Sequence, residues 1–417
     1  MKHFFRFCFY TLLLFVVPVL FGQQNQGASK KDKEDANFKS FLVVSRLDKN
    51  IDFLHKTVLK NISLSSVNKL YKNEYFSIFP VFVNVANGED VVFDLIVRSP
   101  ENNAVVFHRK GAVTNKHLNL SDTVVSVESA FEMYFDNSMP DGQYTALVIA
   151  KNLKTSKVSY YQEQFELVEW TSADFTPIEK SKDFWQILRN YHNSQSPDVL
   201  CKLLGSVHGQ IISNDEINYT LFMFFREALR KKPCLIDLFD KNFDLLDNNT
   251  RKNLVMAFAS LGEAYRLRGK VLTSEEKLLQ DKILTSQLNI MSPYEKIFAG
   301  LSTIDLLWGE FYAKGNYAPI ERVFYCLNDI NSAEAVLKCY TQNTSLDNLN
   351  PYDIRSGILF ISGAYSIMRN ASVKLAMSYI DFYVKENPEK FKGNKLKRTF
   401  GIVNDYLKIK TQNTKHK

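Results

Sequence analysis

Three hydrophobic rhythms divide this chain. The first is unbroken: Phe7 to Phe21 reads FCFYTLLLFVVPVLF, with Lys2 and Arg6 near its start and Gly22 after it. A basic start, a short apolar core and a small residue at the end make a secretory signal. Its fifteen residues fall short of the ~20 that span hydrocarbon. Pro18 also suits a processing site better than a membrane helix. Leu20, three residues before the cut, is large for a peptidase pocket, so a retained anchor stays the alternative. No Cys follows the run to carry a lipid. The expectation is an exported protein, periplasmic or secreted, cleaved near Gly22, with residues 1–22 as signal peptide.

Residues 23–56 read as a polar spacer, QQNQGASKKDKEDA, followed by a short helix. From Asn37 to Leu59 the apolar positions Phe38, Phe41, Leu42, Leu47, Ile51, Leu54 and Val58 fall near helical spacing, although Leu42-Val43-Val44 could equally begin a strand.

The second rhythm has a period of two and covers 57–169. Tyr75 to Val85 is apolar on both alternating faces, as in a strand at the centre of a sandwich. Val91–Val97 follows the turn Asn87-Gly88. Ala104–His108, Ala130–Phe135, Tyr144–Ala150 and Val158–Val168 continue the series. Short β-rich segments between Asn, Gly and Pro punctuation predict an all-β sandwich.

The third rhythm is helical and fills 183–410, after a linker at 170–182. Ser213–Glu216, Thr273–Glu276 and Ser292–Glu295 each place a hydroxyl three residues before a carboxylate, the pattern of a capping box. Asn350-Pro351-Tyr352-Asp353 is a variant of it, with Pro at the first helical position. Long amphipathic runs follow: Tyr219–Lys232, Leu254–Arg268, Ile297–Ala313 and Ile354–Arg369. Roughly ten to twelve helices fit, joined by short connections as an irregular stack of helical hairpins. Trp308 and Phe311, three apart on one helical face, predict a packed stripe. Residues 411–417 form a basic tail.

Two segments resemble known groups. Met139-Pro140-Asp141-Gly142-Gln143-Tyr144 resembles the tyrosine corner of immunoglobulin-like domains, in which a Tyr entering a strand bonds its hydroxyl to upstream backbone. Ala146 stands where antibody domains have Cys, so the likeness is to cysteine-free immunoglobulin-like sandwiches. It gives structural roles to Asp141, Gly142 and Tyr144. Farther on, Asp305–Tyr317, with Trp308, Phe311, Ala313 and Gly315, is similar to a segment of uncharacterised bacterial proteins reading L-W-x-x-F-x-A-T-G. Tyr365–Ala371 matches their later W-S-L-x-x-N-A segment, with Tyr365 in place of Trp and Lys314 in place of Thr. This implies a shared helical fold and no activity. The fold class is therefore multidomain, β then α.

Charge changes the picture only locally. The net charge is +7 over 417 residues. Residues 385–417 alone carry ten Lys or Arg and three acids. The folded body is nearly neutral, which argues against nucleic acid as a partner. The basic C-terminal segment is the one place where membrane contact is conceivable, although a final amphipathic helix packed on the stack explains it as well. Of five Cys, Cys8 lies in the signal. On antiparallel helices turning near Ile330, Cys326 and Cys339 would be offset by roughly 7 Å along the axis, which disfavours a bridge. Buried free thiols are an equal alternative.

Catalytic chemistry leaves no local trace. No histidine pair sits at i, i+4. His108 and His117 around Gly111 could hold zinc only with a third ligand that the neighbourhood does not supply. There is no G-x-S-x-G and no phosphate-binding glycine loop. Asp94, between Phe93 and Leu95, is expected to face water at an edge or to pair across strands with Arg98 or a neighbour. No catalytic, metal or cofactor-binding residue is assigned, and no cofactor is expected. The resulting expectation is a non-catalytic exported protein that binds protein partners in the envelope or outside the cell. The alternatives are a carbohydrate- or ligand-binding sandwich, for which exposed Tyr160, Tyr161 or Trp170 would speak, and a hydrolase with scattered carboxylates.

Overall fold

The computed structural model describes residues 37–46, 66–115, 123–127, 130–170, 178, 180–207, 218–285, 301–391, 398–399 and 401–402. The signal and most of the spacer, the capping patterns at 213–216 and 292–295, His55, His117, His208, most of the linker and the tail lie outside these. The chain is β first, then α. No described helix is long and apolar enough to cross a membrane.

Among the described residues nine strands come first: β1 (Lys39–Ser45), β2 (Lys69–Tyr71), β3 (Tyr75–Val83), β4 (Asp90–Arg98), β5 (Val105–Thr114), β6 (Val124–Ser126), β7 (Phe131–Tyr134), β8 (Gly142–Asn152) and β9 (Val158–Val168). They form two sheets. In one, β3 is central, with β1 on one side and both β7 and β6 on the other. The second runs β2-β9-β8-β4-β5. The inward faces meet in one core, where Phe82 of β3 and Phe93 of β4 lie 5.3 Å apart and Phe76 and Phe165 5.5 Å apart.

β3 shows how sequence sets this arrangement. Pro80 has no N–H to give a neighbouring strand, yet it sits in a central strand. The ladder accommodates it by changing partner: β7 pairs with Tyr75–Ile78 and β6 with Val81–Val83, leaving Pro80 in the gap. Its carbonyl still accepts from Ser126 Oγ at 2.7 Å.

The helix expected from Asn37 onward is corrected at its start. Lys39–Ser45 is a strand, antiparallel to β3 with Leu42 opposite Pro80. Its β-branched residues and an apolar partner surface outweigh the helical spacing. Ser40 and Phe41 also reach the opposite sheet, at Ser159 and Tyr161. The β region thus begins at 39, before the expected boundary at 57.

Eleven α-helices follow among the described residues: α1 (Ser181–Arg189), α2 (Pro197–Gly205), α3 (Tyr219–Arg230), α4 (Pro233–Asn242), α5 (Asn248–Leu261), α6 (Ser274–Leu284), α7 (Leu301–Lys314), α8 (Tyr317–Phe324), α9 (Ile330–Gln342), α10 (Pro351–Arg369) and α11 (Lys374–Glu386). Thr273 and Glu276 make both bonds of the capping box at α6, and Asn350 caps α10 through Asp353 N–H at 2.8 Å. Glycines let helices touch. A Cβ on Gly309 of α7 would lie 2.4 Å from Thr220 O on α3, and one on Gly357 of α10 would lie 2.4 Å from Ser332 O on α9. The α7 segment and the end of α10, which carry the bacterial resemblance, meet where Tyr312 Oη donates to Asn370 Oδ1.

The helices cap one end of the sheets. Tyr75 N–H donates to Lys231 O at 3.1 Å and Cys234 N–H to Asn73 O at 3.3 Å. Asp198 of α2 accepts from Tyr71 Oη and Trp170 Nε1.

Candidate functional site

Two groups of buried charge bring carboxylates and cations together inside the fold. Glu74, in the turn entering β3, is fully buried at the junction of sheets and helices. It accepts from Arg46 at 2.9–3.0 Å, from Lys232 Nζ at 3.0 Å and from Tyr71 N–H at 2.7 Å. Burial alone would raise its carboxyl pKa, but Lys232 and Arg46 outweigh burial and hold it below the ordinary value. Glu227 of α3 repeats the pattern. Lys314 Nζ lies 2.7 Å from it and 2.8 Å from Glu310 of α7. Its pKa is pushed up by burial and brought down further by Lys314, Arg230 and Arg226. A general acid needs a raised pKa and access to substrate. Glu74 and Glu227 are lowered and enclosed by cations, so their chemistry is that of structural ion pairs.

The exposed candidate is the outer face of the five-stranded sheet. Strand alternation sends Val91, Phe93, Leu95 and Val97 inward and Val92, Asp94, Ile96 and Arg98 outward. The registers align the outward residues in rows. One row is Lys110, Asp94, Ile149, Tyr160; the next is His108, Ile96, Leu147, Gln162; a third is Ala112, Val92, Lys151, Val158. Ile149 and Tyr160 stand directly opposite each other, 41% and 78% exposed. Around them lie the half-buried Val92, Ile96 and Leu147 and the exposed Val158. His108 Nε2 and Asp94 Oδ1 are paired at 2.7 Å on the rim, with Lys110 Nζ 4.0 Å from the same oxygen. The face thus has an apolar centre and a charged rim. Asp94 therefore faces outward from an interior strand and pairs with His108, while Arg98 turns to Asn103 O.

The residues singled out from sequence do not converge. Tyr144 is buried, and its hydroxyl donates to Pro140 O at 3.0 Å. Asp141 is exposed and pairs with Lys72 at 2.7 Å. Gly142 has φ +132, and a Cβ there would lie 3.2 Å from Pro100. Trp308 and Phe311 are buried together in the helical core, rings 5.7 Å apart. Tyr161 bonds Glu163 and Trp170 bonds Asp198, so of the three aromatics weighed for ligand binding Tyr160 alone is free of the core. Cys201, Cys234, Cys326 and Cys339 form no disulfide. Burial pushes the Cys234 thiol up to about 12. No group of three or more His, Cys, Asp or Glu among the described residues could hold a metal ion. The Ile149–Tyr160 face was missed in the sequence, although Ala146-Leu147-Val148-Ile149 signals it: an antiparallel strand apolar at every position has a second apolar face.

No protein-family model matches the sequence, and no curated protein does. Two of the solved structures that match share only weak likeness. A family 123 glycoside hydrolase from Clostridium perfringens matches with TM-score 0.20 and 9% identity, over 32% of this chain and 28% of that one. A family 76 glycoside hydrolase from a bovine Bacteroides thetaiotaomicron strain matches with TM-score 0.16 and 10% identity, over 83% and 87%. At these scores neither bears on the fold or activity of this chain.

Proposed function

We propose that this chain is an exported, non-catalytic interaction protein whose protein partner docks on the outer face of the five-stranded sheet. The observation that supports this is the exposed Ile149–Tyr160 pair at the centre of an apolar, charge-rimmed surface. Aromatic and aliphatic anchors of this kind carry most of the binding energy at protein interfaces. The Lys2–Gly22 segment supports export, and the Tyr144–Pro140 contact supports an immunoglobulin-like reading of the two sheets. A carbohydrate module is the second reading, because Tyr160 also offers a ring for stacking a sugar.

A photo-reactive amino acid at position 160, in the exporting cell, tests the proposal. It should give a discrete protein adduct that Ile149→Lys removes, while the same group at the exposed Leu245 of the helical region gives none. Absence of an adduct at 160, or binding of a glycan array dependent on Tyr160, would overturn it. So would turnover in a hydrolase panel that one Asp or Glu substitution abolishes.

A further inference from the structure

β5 ends the five-stranded sheet. It pairs with β4 from Thr114 opposite Asp90 to Val105 opposite Arg98, and no described strand pairs with its other side. A ten-residue edge leaves a row of backbone N–H and C=O groups to be paired, which is a template for a further strand. The side chains select what can pair there. The strand reads VVFHRKGAVT, with three basic-type residues in succession and no carboxylate. His108 and Lys110 stand on the outer face beside Asp94, and Arg109 on the opposite face. Arg109 lies 5.9 Å from the Phe107 ring centroid, with no described carboxylate in ion-pair distance. Among the described residues, Lys110 is held only by a 4.0 Å approach to an Asp94 that His108 already engages.

We propose that the outer edge of β5, with which no described strand pairs, is a strand-addition site for an extended, carboxylate-bearing segment of a partner protein. Resting on the interaction reading above, this names the partner's chemistry. An added strand sets its own side chains opposite those of β5, so carboxylates at alternate positions meet His108 and Lys110 on the outer face or, in the other register, Arg109 on the opposite face. A second copy of this chain fits badly. Two-fold antiparallel pairing must match residues of the same face. Its two fullest registers set Arg109 against its own copy with His108 against Lys110, or Lys110 against its own copy. Like charges directly opposite destabilise a ladder.

Fluorescence anisotropy of the full chain with a labelled decapeptide of alternating Glu and Val tests this. The controls are the alternating Lys and Val peptide and a Glu peptide of equal charge with Pro at alternate positions, which cannot join a ladder. The Glu-Val peptide should bind about tenfold or more tighter than either control. The double variant Arg109→Glu with Lys110→Glu should reverse the preference toward the Lys-Val peptide, which also shows that the variant is folded. Equal binding of the Pro peptide, equal binding of the Lys-Val peptide, no binding of any peptide, or a dimer in sedimentation whose stability depends on Arg109 would each overturn the assignment. An adduct at position 160 without peptide binding sinks the edge assignment and leaves the docking face standing.

Discussion

Lys232 Nζ, from the helical region, donates to Glu74 Oε2 in the sheet region at 3.0 Å, with both side chains out of solvent. The pair lies 158 residues apart in sequence and joins the two halves of the chain. Arg46 completes it from the end of β1, donating also to Lys69 O at 2.6 Å. The carboxylate is the hub, since each cation reaches the other only through it.

That asymmetry orders the effects of substitution. Glu74→Gln leaves two buried cations without a counter-charge and should cost about 3–5 kcal/mol. Lys232→Met leaves Glu74 still bound by Arg46 and should cost less. Urea unfolding followed by far-ultraviolet circular dichroism measures both. Equal losses, or a neutral Glu74→Gln, would show that the hub is not what couples the halves.

Gly309→Ala should destabilise the helical core. The added Cβ would meet Thr220 backbone oxygen at 2.4 Å, and backbone cannot swing aside as a side chain can. Either α3 and α7 separate or one bends, at a cost of about 1–3 kcal/mol. Gly262→Ala is the contrast. Nothing lies near its Cβ, and its cost comes only from φ +80. A loss at 309 no greater than at 262 would mean that the helix contact is looser than its geometry.

Tyr144→Phe removes one donor and leaves Pro140 O, in a half-buried turn, without its bond. The expected cost is ~1 kcal/mol, with the ring packing against Phe135 and Phe165 retained. Chemical denaturation reads this directly. A neutral substitution would mean that water replaces the hydroxyl, and it would remove the main support for the immunoglobulin-like reading.

What could be read in the sequence was what local rules govern. Thr273–Glu276 and Asn350–Asp353 mark helix starts because capping is a matter of three residues. Tyr75–Val83 shows its central position because both of its faces are apolar. β1 misled because seven residues of mixed spacing carry too little period to choose between helix and strand, and the pairing with β3 decides. The three-residue strands β2 and β6 are shorter than any periodic signal. Arg46, Glu74 and Lys232 look like ordinary surface charges, since nothing local distinguishes a charge whose partner is 28 or 158 residues away. The docking face lay between these cases: its residues were legible strand by strand, and only the register brings Ile149 opposite Tyr160.

His192 gives the stability of the fold a pH dependence with a defined sign. It is buried beneath Phe311, ring centroids 5.1 Å apart. Burial lowers its pKa from 6.5 to about 3, and a backbone contact with Arg189 offsets only part of that. Between those values the unfolded chain takes up a proton that the folded chain refuses. Stability therefore falls as pH drops below about 6.5, by up to ~1.4 kcal/mol per pH unit, and the loss ends near the folded pKa. His192→Phe keeps a ring against Phe311 and removes the titration. Thermal unfolding at pH 7.5 and pH 5.5 should therefore show a larger drop in Tm for the natural protein than for the variant. Identical drops would mean that the imidazole is protonated in the fold or that water reaches it.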